Sequence, residues 1–335
     1  MLYFTIRRIL LLIPVIVGLT IIMFAIARLL PGDPVALAAG PNATKAEIAA
    51  LAQQFGLDQP VWVQYLRYVG GLLHGDLGTS LLTRRPVAAD IAAYLPATLE
   101  LVFAAMFIAV VVGIPLGLLT AVWRNRWPDY LSQVFAIGAI SMPRFFLGLL
   151  LQLCFAMWLM WLPLGGRLPI IVIPPPTVTG FLLIDTLLAG DTQAFVVALQ
   201  HLILPAVAMS LSPLATIMRM MRASTIEVMQ QDYVTTARAL GLPKRKILFK
   251  CVARNAVSAT LTVIGLYFGW LLGGTVLVET VFDWPGLGLY ATKAIVSQDM
   301  MPVIGVALVI GLLFVFANLV IDLLYGVINP KVRYS

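Results

Sequence analysis

The sequence predicts an all-α protein that crosses a membrane several times. Hydrophobic residues make up 61% of the 335 residues and charged residues only 11%, whereas about a quarter of the residues of a soluble protein are charged. Six stretches also hold about twenty apolar residues each, the length that a helix needs to cross roughly 30 Å of hydrocarbon. They are Ile9–Leu30, Thr98–Trp123, Tyr130–Leu162, Leu199–Met221, Asn255–Val278 and Pro302–Ile328.

The distribution of basic residues predicts the orientation of these spans. Cytoplasmic loops of membrane proteins carry an excess of Lys and Arg. If both termini are cytoplasmic, most of the 22 basic residues lie on the inner side, and the net charge of +7 needs no nucleic-acid partner. The inner residues are Arg7, Arg8, Arg124, Arg126, Arg219, Arg222, Arg238, Lys244, Arg245, Lys246, Lys250, Arg254, Lys331 and Arg333.

The first span imitates a signal peptide, because Arg7 and Arg8 precede an apolar run. Ile9 to Ala27 is free of charge and is longer than the about 7–15 residues of a cleavable signal. We therefore expect an uncleaved helix. The two cysteines, Cys154 in a span and Cys251 beside an inner loop, imply no disulfide framework.

Two amphipathic helices are expected in the outer segment that joins the first two spans. Thr44 and Glu47 form a capping box, which predicts a helix ending near Gly56. Pro60 then opens a second helix whose apolar residues include Tyr65 and Tyr68.

The third span carries a charge in its middle. Arg144 follows Pro143, and because proline lacks an amide donor the helix can break there. A charge inside a span is a functional candidate, since its insertion costs at least about 2.5–3.5 kcal/mol. Snorkelling of Arg144 toward an interface is the alternative. Near the inner end of the last span, Asp322 is expected to tie helices together.

The second outer segment, from Pro163 to Gln200, contains Pro174-Pro-Pro176 and then Gly180-Phe-Leu-Leu-Ile-Asp185. Three consecutive prolines cannot continue a helix, so this is either a connecting loop or a docking surface. Asp283-Trp-Pro-Gly286 predicts a turn at the outer end of the fifth span, with Trp284 in the interfacial aromatic belt. Asp185, Asp283 and Trp284 are the candidate docking residues.

The inner segment 222–254 is polar and basic. Tyr233, Thr236, Ala237 and Leu240 recur at helical spacing, which predicts a short helix with these residues on one side and Arg238 on another. Gly241 supplies a stop with positive φ and Pro243 opens the next helix.

The segment 222–254 has a second capping box, Ser224–Glu227, which predicts a further helix start. One interpretation is a solvated amphipathic helix near anionic lipid. The small residues Ala237, Ala239 and Gly241 favour instead a helix that lies against a partner protein.

Small residues also occur at helical spacing inside the spans. Gly113 and Gly117, and likewise Gly269 and Gly273, are four residues apart, a spacing that allows close helix packing in membranes. We expect packing to be their role.

Several kinds of chemistry are missing from the sequence. It has no phosphate-binding Gly-x4-Gly-Lys-Ser/Thr loop, no His-Glu-x-x-His and no Gly-x-Ser-x-Gly, so we expect no catalytic, cofactor or metal residues. His74 and His201 are far apart in sequence, and His201 is expected to be structural. The chain alone should not hydrolyse ATP.

A family resemblance follows from the inner segment. The sequence Tyr233-Val-Thr-Thr-Ala-Arg-Ala-Leu-Gly241 resembles the coupling loop of ABC importer permeases in the peptide and nickel branch. Pro31–Pro34, Gly56-Leu-Asp58 with Pro60, and Gly75–Ser80 are similar to the extracytoplasmic segment of the B-type permease in that branch. Val278–Gly288 and Asn318–Pro330 resemble family signatures, and Gly180–Asp185 is similar to the dipeptide permeases in particular.

The resemblance implies a type I ABC importer permease fold in the bacterial inner membrane. It also implies four kinds of partner: a second homologous permease, two ATPases that bind ATP and Mg²⁺, an extracytoplasmic peptide-binding protein and the lipid bilayer. No nucleic acid is expected. The ATPase-coupling residues would be Tyr233, Thr236, Ala237, Arg238, Ala239, Gly241 and Leu242. Family members are usually apolar at Arg144, which would meet either a peptide carboxylate or an acid of the partner permease.

We therefore expect half of the translocation pathway of a peptide importer, with dipeptides as the favoured cargo. Residues 1–97 would hold the first span and the outer helical segment, 98–328 the permease core with its coupling loop at 222–254, and 329–335 a cytoplasmic tail. A nickel or other small-solute importer permease is the alternative within the family. An ion-coupled secondary transporter is a rival of another class, but the spans contain few acids. An intramembrane enzyme would need a convergent constellation that the sequence lacks.

Overall fold

The computed structural model describes residues 2–29, 44, 59–169 and 171–328, and its regular structure within these ranges consists of twelve helices. The expected helix after Thr44 and the motif Pro31–Pro34 lie outside the described ranges. The helices are α1 (Leu2–Leu29), α2 (Val61–Leu73), α3 (Val87–Val122), α4 (Trp127–Ser141), α5 (Arg144–Trp158), α6 (Leu182–Leu188), α7 (Thr192–Val228), α8 (Asp232–Ala239), α9 (Lys244–Gly273), α10 (Val276–Val281), α11 (Leu287–Val296) and α12 (Met300–Ile328).

Five of the described helices, α1, α3, α7, α9 and α12, are long and apolar enough to cross a membrane. A sixth span results if α4 and α5 are taken as one broken span, in which the two helices meet at 106°. The break lies at Met142 and Pro143, where the sequence allowed one. Hydropathy predicted one continuous span from Tyr130 to Leu162, and the structure has two helices, α4 and α5, in its place.

Other spans also begin or end where the sequence did not predict, and α1 for example starts at Leu2 rather than Ile9. α3 starts at Val87 rather than Thr98 and continues through Pro96, whose lost hydrogen bond is tolerated inside a packed bundle. α7 extends the expected fourth span at both ends. α9 begins at Lys244 and stops at Gly273, so Val278 belongs to the separate helix α10. The helix expected after Pro60, in the segment that joins the first two spans, is confirmed as α2.

The core lies where α3 and α7 pack along each other. A Cβ on Gly113 would stand 3.1 Å from the side chain of Ile217, and one on Gly117 would stand 2.5 Å from the carbonyl oxygen of Met218. These two glycines therefore permit the contact, as their spacing predicts. On α9 only one of the two glycines packs closely against another helix. Gly269 contacts Phe314 of α12, whereas nothing lies within 4 Å of a Cβ on Gly273, so the expected packing role is wrong for Gly273 in this chain.

The first and last helices are joined at one end. Arg8 Nη1 donates to Asp322 Oδ2 at 2.6 Å, and Leu19 of α1 packs over Gly311 of α12. The expected role of Asp322 in tying helices together is confirmed.

Candidate functional site

The inner segment forms a short exposed helix on a small apolar base. Val234 and Ala237 of α8 are buried and pack with Ile247 and Val252 of α9. The predicted stripe is therefore wrong in part, since only Ala237 of its members points inward. Residues of the other faces are exposed, and we call them the α8 surface: Tyr233, Thr236, Arg238, Ala239 and Leu240.

A tight turn ends α8 where the sequence predicts it. Gly241 has a φ of +72°, and the amide of Leu242 donates to the carbonyl oxygen of Ala237 at 3.3 Å. Such a bond closes the end of a helix and suits glycine, because a Cβ in the left-handed region is strained. Pro243 then caps the start of α9. The predicted stop and restart are both confirmed.

The second predicted helix start in this segment is wrong. Ser224 and Thr225 are buried inside α7, which runs without interruption to Val228. A capping box is a start signal only where the preceding residues are not helical, and here the membrane-spanning helix already includes them. α7 therefore leads directly into α8 through a short turn at residues 229–231.

A hydrogen bond attaches the α8 surface to α9, and a second one, within α9, orients its donor. The Nδ2 of Asn255 donates to the hydroxyl of Tyr233 at 2.8 Å and to the carbonyl oxygen of Cys251 at 2.9 Å. Tyr233 is thus held at a fixed position although its ring is exposed. This contact fixes α8 against the start of the membrane-spanning part of α9.

An ion pair attaches α7 to α4 near the same end. The carboxylate of Asp129 accepts from Arg222 Nε at 2.6 Å and from Arg222 Nη2 at 2.8 Å. The amide of Asn125 also donates to this carboxylate at 3.0 Å. Asp129 is buried and Arg222 largely so, hence the pair joins two helices through a geometry that tolerates little displacement. Sequence reasoning missed it, because neither residue belongs to a motif.

At the outer end, two of the three docking candidates are buried. Asp185 accepts from the amide and hydroxyl of Thr179 and from the amide of Gly180. Burial alone would raise the pKa of Asp185, but these hydrogen bonds outweigh it and hold that pKa below its usual value. A side chain used in this way holds a turn and offers no docking surface, so that expectation is wrong for Asp185.

Trp284 is buried as well, with 1% of its surface exposed. Its indole Nε1 donates to the carbonyl oxygen of Ala97 at 2.8 Å, so the expected place in an interfacial aromatic belt is wrong, and so is its use for docking. The neighbouring Asp283 is exposed, with a φ of +45°. It is the one candidate of the three whose side chain a partner could reach.

Glu279 organises this outer region, and sequence reasoning missed it. Its carboxylate accepts from the hydroxyl of Thr98 at 2.8 Å and from the amides of Gly288 and Leu289 at 2.6 and 3.1 Å. Burial raises the pKa of Glu279, while the hydrogen bonds oppose that rise. Thr98 also accepts from the amide of Leu287. Glu279 therefore fixes the start of α11 against α3.

A second outer cluster surrounds Arg167. Its guanidinium pairs with Glu100 of α3, donates to the carbonyl oxygen of Gly180 at 3.2 Å and lies 5.6 Å from the ring centroid of Trp284. The same Glu100 accepts from the amide of Leu183. This cluster attaches the outer segment to the spans, and no sequence motif indicates it.

Arg144 lies at the first position of α5, directly after the break of the third span. It is partly buried, and its guanidinium lies over Gly274, where a Cβ would meet Nη1. Across the described ranges no group of three or more His, Cys, Asp or Glu side chains could hold a metal ion. The Nδ1 of His201 lies 2.8 Å from the carbonyl oxygen of Gly165, as expected of a structural histidine.

Two family models match the chain. One is described as a binding-protein-dependent transport system inner membrane component and matches residues 113–334. The other describes the N-terminal part of a binding-protein-dependent transport system membrane component and matches residues 1–102.

Curated relatives are similar over nearly the whole chain. A probable D,D-dipeptide transport system permease protein of Escherichia coli is 47% identical over 96% of this chain and 94% of the relative. A dipeptide transport system permease protein of Alkalihalophilus pseudofirmus is 42% identical over 100% of both chains. A di/tripeptide transport system permease protein of Pseudomonas aeruginosa is 43% identical, again over 100% of both.

Proposed function

We propose, since this chain belongs to the family of binding-protein-dependent transport system inner membrane components, that it is the permease subunit of an ATP-driven importer of short peptides. One observation carries this proposal: relatives at 42–47% identity, aligned over nearly their full length, are permeases of dipeptide systems. The protein is a multi-pass protein of the bacterial inner membrane.

We place both termini in the cytoplasm. The basic residues around α8 and the start of α9 support this side for the inner segment. Arg8 and Asp322 support it as well, because their ion pair brings the start of α1 and the inner end of α12 to one level. The outer segments, including α2, α6 and α11, would then face the binding protein.

The chain would form half of the translocation pathway beside a second homologous permease. Two ATPase subunits would bind ATP and Mg²⁺, and an extracytoplasmic protein would deliver the peptide; Asp283 is the candidate contact for that protein. Many large apolar side chains of α1, α4 and α5 are exposed in the single chain. Lipid and the second permease would cover them.

The α8 surface is our candidate for contact with an ATPase. Tyr233 and Leu240 are exposed apolar groups on a helix that is anchored by Ala237 and Asn255. The small Ala239 and Gly241 allow a partner to approach the backbone, and Leu242 packs into the base. ATP would shift the spans between an inward-facing and an outward-facing conformation only if the complex binds ATP with different affinity in the two conformations.

Uptake by the reconstituted complex tests this function. The chain, the second permease, the ATPases and the binding protein would be placed in vesicles with ATP, and uptake of labelled dipeptides, tripeptides and Ni²⁺ compared. We expect ATP-dependent uptake of dipeptides in particular. Uptake of Ni²⁺ with no uptake of any peptide would refute the proposed cargo, and uptake driven by an ion gradient without ATP would refute the class of transporter.

A further inference from the structure

Arg144 occupies an electrostatically unfavourable place. It is the first residue of α5, and the amides of the first helical turn make the start of a helix positive. A cation there lies against the direction of the helix dipole, and it lies beside the break of a membrane span, where charge is costly. An anion next to Arg144 would relieve both penalties.

The described part of the chain supplies no such anion. Arg144 takes part in none of its four ion pairs, and none of its side-chain hydrogen bonds includes the guanidinium. The buried side-chain atoms that lack a hydrogen-bond partner include no nitrogen of Arg144. Since its guanidinium nitrogens have no partner either, they are accessible to solvent. Its five donors form a planar fork that fits a carboxylate.

The surroundings of the guanidinium are built to seat it. Gly274 directly follows the last residue of α9. The partial negative charge of that helix end offsets the partial positive charge at the start of α5, so the penalty that remains is an unpaired cation beside a membrane span. A Cβ on residue 274 would overlap Arg144 Nη1, so glycine leaves the required space.

We propose that Arg144 forms a subsite for the terminal carboxylate of a peptide that crosses the permease. The inference rests on the proposed function. Every unmodified short peptide carries this carboxylate whatever its side chains are, so one fixed cation serves cargo of varied sequence.

A comparison of free and amidated peptides tests the subsite. Arg144→Gln removes the charge, Arg144→Lys keeps it without the fork, and Arg124→Gln removes an exposed arginine charge as a matched control. Each variant complex is assayed with one binding protein, saturated either with a dipeptide or with its C-terminal amide. Because both substrates use the same binding protein, the ratio of the two uptake rates reports on the permease.

We expect Arg144→Gln to lower the ratio of free to amidated uptake about tenfold or more, as the loss of a charged hydrogen bond does. Arg144→Lys should lower it less, and Arg124→Gln should leave it unchanged. Gly274→Ala, which displaces the guanidinium but keeps its charge, should lower the ratio in the same direction.

Two results would overturn the subsite while leaving the permease function intact. One is an equal fall in both uptake rates, which indicates a structural role. The other is failure of Arg144→Gln to assemble with the second permease, which indicates an acidic partner in that subunit. If the unmodified complex takes up no peptide at all, the proposed function fails, and the subsite fails with it.

Discussion

At position 241 glycine is required by the backbone conformation and not by a lack of room for a side chain. Its φ is +72°, and no atom lies within 4 Å of an ideal Cβ there. The sequence was sufficient to predict this turn, because glycine followed by Pro243 is a local signal. Trp284 shows the opposite case: aromatic-belt statistics cannot tell that its indole is buried against Ala97, because the contact joins residues 187 positions apart.

Gly241→Val should reduce coupling between ATP hydrolysis and peptide uptake. A β-branched residue in the left-handed region costs about 1–2 kcal/mol, so the turn changes conformation and the α8 surface moves. Gly241→Asn is the matched control, since asparagine tolerates this region. Peptide molecules taken up per ATP hydrolysed should fall for valine and stay near the unmodified value for asparagine.

Insertion of the spans should be unaffected in both Gly241 variants. Wild-type coupling and wild-type ATPase binding in Gly241→Val complexes would show that the α8 surface is not the coupling element.

Glu279→Ala should destabilise the outer end of the protein. The change leaves the Thr98 hydroxyl and the amides of Gly288 and Leu289 without their acceptor, and each buried donor left unpaired costs about 1–3 kcal/mol. Thermal unfolding of the purified complex should shift to lower temperature. Glu227→Ala, at an exposed glutamate, is the control. If both variants lowered the unfolding temperature equally, the hydrogen bonds of Glu279 would not be what stabilises this region.

At the scale of helices, local signals predicted which elements exist better than where they end. Ser224–Glu227 has the pattern of a helix start but lies within α7, because the apolar contacts of that helix continue past it. Pro96 similarly lies inside α3. The break before Arg144 was foreseeable from Pro143, whereas the angle of 106° depends on packing against distant helices.

The pair of Asp129 and Arg222 should couple α4 to α7 energetically. Breaking a buried ion pair from one side costs about 3–5 kcal/mol, so Asp129→Asn and Arg222→Gln should each lower the thermal stability of the complex. The double variant should lose much less than the sum, since it leaves no unpaired charge. Additive losses would show that the two side chains act independently.

For the whole molecule, composition predicted membrane crossing without any knowledge of contacts. The charge distribution predicts an orientation, which stays a prediction. The residues that hold the outer segments to the spans, Glu100, Arg167 and Glu279, could not be predicted. Their partners come from distant parts of the sequence, and a single charged residue carries no periodic signal. Arg144, the residue of the proposed subsite, was identifiable only as a charge inside a membrane span.

Cysteine labelling should establish the orientation. In a chain with Cys154→Ala and Cys251→Ala, a membrane-impermeant thiol reagent added to intact cells should modify Thr44→Cys and spare Gln230→Cys, because the first is expected outside and the second inside. Gln230 is exposed, so protection cannot come from burial in this chain. If the reagent modified Gln230→Cys and spared Thr44→Cys, the orientation would be the opposite of the predicted one.

The ion pair of Arg8 and Asp322 also has a consequence for biosynthesis. The two residues are 314 positions apart, and a ribosome that adds about 5–20 residues per second needs roughly 15–60 s to make the chain between them. During that interval α1 is already in the bilayer without α12. The contact between α1 and α12 can therefore form only after Asp322 has been synthesised, and a ribosome that stalls before that residue leaves α1 without its partner helix.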